Sequence, residues 1–243
     1  MKIAIFSDIH GNYQALEAIL NDIKGAGYDE IIYLGDAIAI GPDNKKCLEL
    51  LKNSNVNYLL GNHELYFLNG VELDNALEPN EVVHQKWVAS QLDQSDREFL
   101  RKCSLDYTLE IYDKKIKFSH FLLSGDSEIH PFVELFKLLK KDTWFKYSKD
   151  YEYYFVGHEH NSYMYDEYLE KNNIVSNLIL VGSSGCTKEN QTYYIGLEVD
   201  QESISFSRHS LSYDRGTFIE TINGVDYPEK DFMSKTFFGI SEE

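Results

Sequence analysis

The chain of 243 residues carries 40 acidic and 23 basic residues, a formal net charge of −17. This balance argues against a nucleic-acid polymer as a partner, because proteins that bind one neutralise its phosphates with clustered Lys and Arg. Its 43% of hydrophobic residues can form a large core, which excludes a disordered chain, and no apolar run approaches the roughly 20 residues of a membrane span.

The cysteine content and the amino terminus indicate the compartment. Three widely spaced cysteines indicate neither a disulfide framework nor a Cys-based zinc site. The amino-terminal residues show no signal-peptide pattern. We therefore expect a cytoplasmic protein with no membrane partner.

The first predicted elements form a strand, a turn and a helix. Residues 2–6 are an apolar run typical of a buried strand, and apolar residues recur at helical spacing over residues 13–26. Between them, Asp8 and His10 stand at the carboxyl end of the strand, where ligands bind in open α/β sheets. Such a pair offers oxygen and nitrogen ligands to a divalent metal, although alone it is more typical of surface polar residues.

Two further strands end in the same kind of motif. They are predicted at residues 30–34 and 56–60, and they lead into Gly35-Asp36 and Gly61-Asn62-His63-Glu64. Asp36 follows His10 by 26 residues, and Asn62 follows Asp36 by 26 residues. Each interval is long enough for one right-handed crossover, with a helix from about Asn44 in the second. We therefore expect these polar groups to converge at one edge of a parallel sheet.

Residues 65–105 are more polar and have a helical pattern. Ser95 to Glu98 has the form of a capping box that opens a helix. His84 lies in a mixed stretch and is interpreted as a packing or surface histidine. We interpret this segment as a small helical cap inserted into a single domain of residues 1–243.

The strands resume after the cap and end in two more polar motifs. Strands are predicted over residues 107–112 and 115–119, with His120 after the second, and a helix is predicted over Pro131 to Lys141. A buried strand over residues 151–156 ends in Gly157-His158-Glu159-His160. In an extended strand the two histidines would face opposite sides, so a turn is needed to direct both toward one metal centre.

Together these motifs resemble the calcineurin-like metallophosphoesterase superfamily, in particular its small prokaryotic phosphodiesterase-like branch. The order Asp-x-His, Gly-Asp, Gly-Asn-His-Glu, His and Gly-His-x-His is matched over most of residues 3–160. The stretches at residues 182–185 and 213–215 extend the resemblance to about residue 215. The resemblance implies an α/β fold, a four-layer α/β/β/α sandwich. Its second sheet would include strands near residues 163–167, 178–181, 193–199 and 203–208.

The resemblance also implies a role for each motif residue. One metal would be held by Asp8, His10 and His160, the other by Asn62, His120 and His158, and Asp36 would bridge the two. His63 would be the catalytic residue that donates a proton to the leaving group. Carboxylate, amide and imidazole ligands without a thiolate suit two divalent ions of Mn, Fe, Zn, Co or Ni, with Mn favoured.

The implied function is hydrolysis of a small phosphodiester or nucleotide-like substrate by attack of a metal-activated hydroxide. Protein phosphatases of the superfamily carry an Asp and a phosphate-binding Arg where this chain has Ala39 and Ile40, so phosphoprotein substrates are disfavoured. Glu64 is the residue that remains to orient His63. Tyr13, Tyr66, Phe67 and Phe121 are candidates to stack a base, although core packing is the more common use of such residues.

Several alternatives stay open from the sequence. The protein is alternatively a phosphomonoesterase, a dinucleoside polyphosphate hydrolase or, more remotely, a metal-stabilised scaffold that binds a partner without catalysis. Substrate-binding residues beyond the motifs are not identified, nor is the oligomeric state. His130 and His209 lack a motif context and are interpreted as incidental. The tail of residues 216–243 carries no chemical signal, and we expect it to pack on the domain or on a second subunit.

Overall fold

A computed structural model describes residues 1–71, 77–123, 150–161, 165–171 and 174–240, with the backbone alone described for residues 165–171 and 174–176. Its helices are α1 (Tyr13–Ala26), α2 (Asn44–Lys52), α3 (Asn62–Asn69), α4 (Pro79–Gln91), α5 (Gln94–Leu100), α6 (Arg215–Gly224) and α7 (Lys230–Phe238). Its strands are β1 (Lys2–Phe6), β2 (Glu30–Tyr33), β3 (Asn57–Tyr58), β4 (Asp106–Ile111), β5 (Lys114–Ser119), β6 (Tyr153–Val156), β7 (Tyr165–Lys171), β8 (Ile174–Leu180), β9 (Gln191–Val199) and β10 (Ile204–Ser212). Within those ranges, no helix combines the length and apolar character needed to cross a bilayer.

The first sheet has the strand order β10-β9-β1-β2-β3. Strands β1, β2 and β3 are parallel, and β9 pairs antiparallel with both β1 and β10. The expectation that residues 193–199 and 203–208 belong to the second sheet is therefore wrong. Alternation along a strand marks a half-buried face but does not say which sheet the strand joins, and β9 instead covers the free edge of β1.

The second sheet has the order β4-β5-β6-β8-β7. Strands β5, β6 and β8 are parallel, whereas β4 and β7 pair antiparallel at the two edges. The three parallel strands direct their carboxyl ends to the same side of the sheet. Their ends therefore supply loops to one site, as those of β1, β2 and β3 do in the first sheet.

The main core lies between the two sheets and between the first sheet and its helices. Along β1, Ile3 and Ile5 pack toward the second sheet, whereas Ala4 and Phe6 pack toward helices. This period of two is the signature of a strand that is buried on both faces. Three layers of the predicted sandwich are thus described, and the helix predicted over Pro131 to Lys141 lies outside the described residues, as does His130.

Two local predictions need correction. The third strand is the short Asn57–Tyr58 and not residues 56–60. Helix α5 is capped by Asp93, whose carboxylate accepts hydrogen bonds from the backbone N–H groups of Ser95 and Asp96, and Asp96 completes the capping box. The predicted box at Ser95 to Glu98 is therefore wrong by two residues, because Asp is as good an N-cap as Ser.

The tail packs on the rest of the chain. Helices α6 and α7 bury Phe218, Ile222, Met233 and Phe238 in the same cluster as α1 and the outer face of the first sheet. The side chain of Arg215 joins this tail to the loop before β9, donating hydrogen bonds to the carbonyl oxygens of Thr187 and Phe238. The tail is thereby held beside the carboxyl ends of the strands.

Candidate metal centre

The structure brings all seven predicted ligand residues together at the carboxyl ends of the strands. They lie just past β1 (Asp8, His10), β2 (Asp36), β5 (His120) and β6 (His158, His160), and at the start of α3 (Asn62). Four of them have positive backbone φ angles: 54° at Asp8, 48° at His10, 59° at Asp36 and 64° at His158. These left-handed residues make the sharp turns that direct alternate side chains toward one place.

The first group consists of Asp8, His10 and His160. Their facing atoms are close: Nε2 of His10 lies 2.9 Å from Nε2 of His160, and Oδ1 of Asp8 lies 3.4 Å from Nε2 of His160 and 3.7 Å from Nε2 of His10. Oδ1 of Asp8 is buried and has no hydrogen-bond partner. Because a buried carboxylate oxygen without a partner is costly, this arrangement fits a bound cation.

The second group consists of Asn62, His120 and His158. Oδ1 of Asn62 lies 3.1 Å from Nε2 of His120 and 3.0 Å from Nδ1 of His158. Asp36 lies between the two groups, with its Oδ2 atom 3.1 Å from Nε2 of His120 and 3.8 Å from Nε2 of His10. The other oxygen, Oδ1, accepts a hydrogen bond from the backbone N–H of His63, so Oδ2 is the oxygen that faces both groups.

Hydrogen bonds behind the ligands orient two of the imidazoles. Nδ1 of His10 donates to the carbonyl oxygen of Ile38 at 3.1 Å, and Nδ1 of His120 donates to that of Leu34 at 2.8 Å. A carbonyl oxygen only accepts, so in both neutral rings the lone pair is on Nε2, which faces carboxylate oxygens. Nε2 of His120 lies 3.1 Å from Oδ2 of Asp36, and two acceptors at that distance require a positive charge between them, a proton in the free site or a metal cation in the loaded one.

The electrostatics of the cluster point the same way. Burial opposes protonation of His120, but the carboxylates of Asp36 and Asp8 outweigh it and raise the pKa of His120 to about 9. Burial likewise opposes ionisation of Asp36, but the surrounding imidazoles, His120 foremost, hold the pKa of that carboxyl below its usual range. The two buried carboxylates thus favour a positive charge beside them.

Two glycines allow this close packing. A Cβ atom on Gly61 would collide with the carboxylate of Asp36, and one on Gly157 would collide with the hydroxyl of Ser7 and crowd Asp8. These two strand ends therefore need a residue without a side chain directly before the proposed ligand. This explains the Gly before both Asn62 and His158.

His63 lies next to the two groups but faces a cavity. Its ring is 5.2 Å from that of His10 between centroids, and its Nε2 atom is 3.9 Å from Oδ2 of Asp36. The side-chain amide nitrogen of Gln85, on α4, lies 2.6 Å from Nδ1 of His63. Burial lowers the pKa of His63 to about 3, so the ring is neutral, and an amide that donates to Nδ1 leaves the N–H on Nε2.

The interpretation that Glu64 orients His63 is wrong. The buried carboxylate of Glu64 accepts hydrogen bonds from the backbone N–H groups of Asp36, Ala37 and Gly61 at 2.8–2.9 Å. It also accepts one from the Tyr58 hydroxyl at 2.9 Å. Glu64 therefore joins the ends of β2 and β3 and holds the backbone on which Asp36 stands. Gln85, which no motif identified, has the position beside His63.

Cys186 is the second residue that sequence reasoning missed. Its sulfur and the ring nitrogens of His10 and His160 all lie within 4.8 Å of one another. The expected ligand set contained no thiolate, because Cys186 is 26 residues beyond the last histidine motif and carries no spacing signature. The Gly-Ser stretch before it, residues 182–185, is part of the family resemblance, but the position of the thiol depends on tertiary contacts.

The cavity beside the cluster has a volume of about 1040 Å³. Its lining combines Asp36, Asn62, His63, His158 and His160 with residues of α3, α4 and the tail, among them Tyr66, Glu78, Glu81, Gln85, Glu229, Phe232, Met233 and Phe237. Of the four aromatic candidates named from the sequence, Tyr66 is in the lining, whereas Phe67 and Phe121 are buried. His84 is also buried: Nε2 accepts from the backbone N–H of Ile40, a packing role.

Comparison with known proteins agrees with this geometry. A family model described as the calcineurin-like phosphoesterase superfamily domain matches residues 1–202. The chain belongs to the calcineurin-like phosphoesterase superfamily. The predicted family and α/β fold class are thereby confirmed, and the site residues occupy the same strand ends that the motif order implied.

The similar proteins within this superfamily are distant. The chain is 32% identical over 168 residues to an uncharacterised protein of Methanocaldococcus jannaschii, a match that spans 68% of this chain and 65% of that protein. It is 35% identical over 71 residues to a symmetrical bis(5′-nucleosyl)-tetraphosphatase of Proteus mirabilis, covering 28% of this chain and 26% of that enzyme. The chain thus spans less than two thirds of either relative. The crystal structure of a metallophosphoesterase from Sphaerobacter thermophilus has the same fold, with a TM-score of 0.67, 21% identity and coverage of 99% of this chain and all of that one.

Proposed function

We propose that this protein is a dinuclear-metal phosphoesterase that hydrolyses small phosphodiesters. The observation that carries the proposal is the pair of donor groups that share Asp36, whose Oδ2 atom lies 3.1 Å from Nε2 of His120 and 3.8 Å from Nε2 of His10. Asp8, His10 and His160 would hold one metal ion and Asn62, His120 and His158 the other. Two divalent ions about 3.5–4 Å apart supply charge that offsets the phosphoryl oxygens and lowers the pKa of a water molecule between them.

The protein's own residues would perform the remaining work. His63 would place its Nε2–H group toward the leaving oxygen, because Gln85 donates to the opposite ring nitrogen. Glu64 would keep Asp36 in position between the two donor groups, because its carboxylate accepts hydrogen bonds from three backbone N–H groups. The close fit of these side chains positions the phosphate before reaction, which is how orientation lowers a barrier.

The cavity supports a substrate with two arms and little charge. Its volume of about 1040 Å³ is sufficient for a ligand the size of a nucleotide. Tyr66, Phe232 and Phe237 provide apolar and aromatic surface for an ester arm. Its described lining carries no Lys or Arg but includes Glu78, Glu81, Glu159 and Glu229, which would repel a substrate arm with several negative charges.

Dinucleoside polyphosphate hydrolysis is the second candidate. It is favoured by the similarity of 71 residues to the tetraphosphatase of Proteus mirabilis. The acidic lining of the cavity opposes it, since a polyphosphate chain outside the metal centre would find carboxylates where a cationic side chain is needed. We therefore rank it below a singly charged phosphodiester.

The test is a comparison of three substrates on one preparation. Metal-free protein is reloaded separately with Mn²⁺, Zn²⁺, Co²⁺ and Ni²⁺ and assayed with bis-p-nitrophenyl phosphate, p-nitrophenyl phosphate and diadenosine tetraphosphate. The proposal expects the highest kcat/KM for the diester, and a higher value for the tetraphosphate establishes the second candidate. No turnover of any substrate, together with intact metal binding, moves the scaffold alternative ahead.

A further inference from the structure

The loop that carries Cys186 is attached firmly to the strand end that carries Asp8. The backbone N–H of Gly185 and the hydroxyl of Ser183 both donate to the carbonyl oxygen of Asp8, at 3.0 and 2.7 Å. The backbone N–H of Ser184 donates to the carbonyl oxygen of Ser7 at 2.9 Å. These bonds fix the distance between the loop and the first group of ligands.

The position of Cys186 within this loop is equally well defined. Its backbone N–H donates to the hydroxyl of Ser183 at 2.8 Å. A Cβ atom on Gly185 would collide with the carbonyl oxygen of Ile9, so the loop approaches the Asp8–His10 turn as closely as a backbone can. As a result the half-buried thiol of Cys186 stands beside the imidazoles of His10 and His160, with all three donor atoms within 4.8 Å of one another.

An independent observation indicates that this place holds a ligand. Oδ1 of Asp8 is fully buried, has no hydrogen-bond partner and faces the same two imidazoles at 3.4 and 3.7 Å. The carboxylate oxygen of Asp8 and the sulfur of Cys186 therefore lie beside the same two imidazoles, those of His10 and His160. Among the described residues, the second group has no sulfur: its candidate donors are Asp36, Asn62, His120 and His158.

We propose that Cys186 is a ligand of the metal ion held by Asp8, His10 and His160. The inference rests on the proposed dinuclear centre and makes its two positions chemically unequal. A thiolate favours zinc, iron or cobalt over manganese, whereas the second group of oxygen and nitrogen donors accepts manganese readily. On binding, the S–H bond breaks, a sulfur–metal bond forms and the proton passes to the solvent.

The competing interpretation is that the sulfur makes only a weak hydrogen bond to the imidazole of His160. In that case Cys186 would position His160 but would not contact the ion. Cobalt spectroscopy separates the two, because a thiolate bound to Co²⁺ produces a charge-transfer band in the near ultraviolet, whereas the visible ligand-field bands report Co²⁺ binding by any donor set.

The experiment titrates metal-free full-length protein with Co²⁺ and compares the native protein with Cys186→Ser and Cys103→Ser. Cys103 is the matched control, since its sulfur lies 3.6 Å from the carbonyl oxygen of Phe99, away from the ligands. We expect the charge-transfer band in the native protein and in the control, and its loss in Cys186→Ser with the visible bands retained. The affinity for Zn²⁺ should also fall in Cys186→Ser. Loss of a residue that only supports a ligand costs about 10–100-fold in metal affinity, and loss of a ligand itself should cost at least as much.

The other outcomes overturn the proposal in distinguishable ways. Visible bands without the charge-transfer band in the native protein leave the metal centre in place and remove Cys186 from it. A charge-transfer band that persists in Cys186→Ser assigns the thiolate to another cysteine. The absence of all cobalt bands contradicts the metal centre itself, and with it both proposals. Circular dichroism of each variant shows whether it is folded.

Discussion

The side-chain amide of Gln85 lies 2.6 Å from Nδ1 of His63. Gln85 is buried on α4, in the segment predicted from sequence to be a helical cap. A neutral amide supports a neutral imidazole, which agrees with the lowered pKa of His63. The cap therefore contributes directly to the machinery that we propose.

We expect Gln85→Leu to lower kcat by about 10–100-fold on a diester with an alkoxide leaving group, because the ring loses its orientation. The effect should be small on bis-p-nitrophenyl phosphate, since p-nitrophenolate leaves without protonation. Gln94→Leu is the control, because Gln94 is an exposed residue that bonds Glu98. Equal losses on both substrates would contradict a role in leaving-group protonation and indicate a purely structural one.

Asp36→Asn should abolish most activity. Asn keeps the shape of the side chain but removes the charge that faces both donor groups. Loss of a residue that only supports a ligand lowers activity by up to about 100-fold, and we expect the loss of kcat in Asp36→Asn to be larger. Isothermal titration with Mn²⁺ should show weaker binding in the variant. Asp200→Asn, in an exposed turn, is the matched change, and an Asp36→Asn enzyme as active as this control would refute the bridging role.

Glu64→Gln should destabilise the fold as well as the site. A carboxylate accepts from all four of its donors, whereas an amide presents its own N–H groups to at least one of them and leaves it unsatisfied. We expect a loss of about 1–3 kcal/mol in the free energy of unfolding, measured by urea denaturation of the metal-free protein at pH 9, since burial and the charge of Asp36 raise the pKa of Glu64 to about 7. Glu49→Gln, on a side chain that is 54% exposed, should change it little. A stable Glu64→Gln protein would show that these hydrogen bonds are replaceable.

Asp96 should make stability depend on pH. Its buried carboxylate accepts from Lys45 at 2.6 Å and Lys52 at 3.0 Å. Burial opposes its ionisation, but the backbone N–H of Asp93 and the two ammonium groups outweigh it and lower the pKa of Asp96. The stabilisation by ionised Asp96 is therefore complete above the pKa of about 3.9 that an Asp has in the unfolded chain. It is lost as the pH falls through the lower pKa that Asp96 has in the folded protein.

The measurement compares Asp96→Asn with the native protein across that range. The free energy of unfolding of the variant should be lower by about 1–3 kcal/mol at pH 7. The difference in unfolding free energy between the two proteins should decrease as the pH falls below about 3.9. Glu98→Gln, an exposed change on the same helix, is the control. A difference that stays constant with pH would assign the effect to packing and not to charge.

Local signals predicted much of this structure. The bounds of β1 and α1 followed from apolar periodicity. The residues that we propose as ligands stand out because each follows a strand, and three of the motifs begin with a Gly that close packing requires. The membership of β9 in the first sheet was not predictable in this way. It depends on pairing between residues almost two hundred positions apart, such as Lys2 with Glu198.

The same limit explains the missed and misassigned site residues. Gln85 and Cys186 have no neighbours in sequence that mark them, and they reach the site only because α4 and the loop after β8 fold over it. Glu64 was placed in the right motif with the wrong partner, since four buried donors surround it and none belongs to His63. Site residues that belong to a motif with a characteristic spacing are predictable from a sequence, whereas site residues that reach the site only through tertiary packing are not.

The left-handed backbone at His10 and His158 has a consequence for the history of such chains. A histidine held in that conformation costs about 1–2 kcal/mol relative to glycine, and the proposed role as a metal ligand would explain why it is kept. A descendant released from that role would relieve this backbone strain by drifting to glycine there. Glycine at these two positions in a homologous sequence should therefore mark a lineage that has lost the proposed metal centre while keeping the fold.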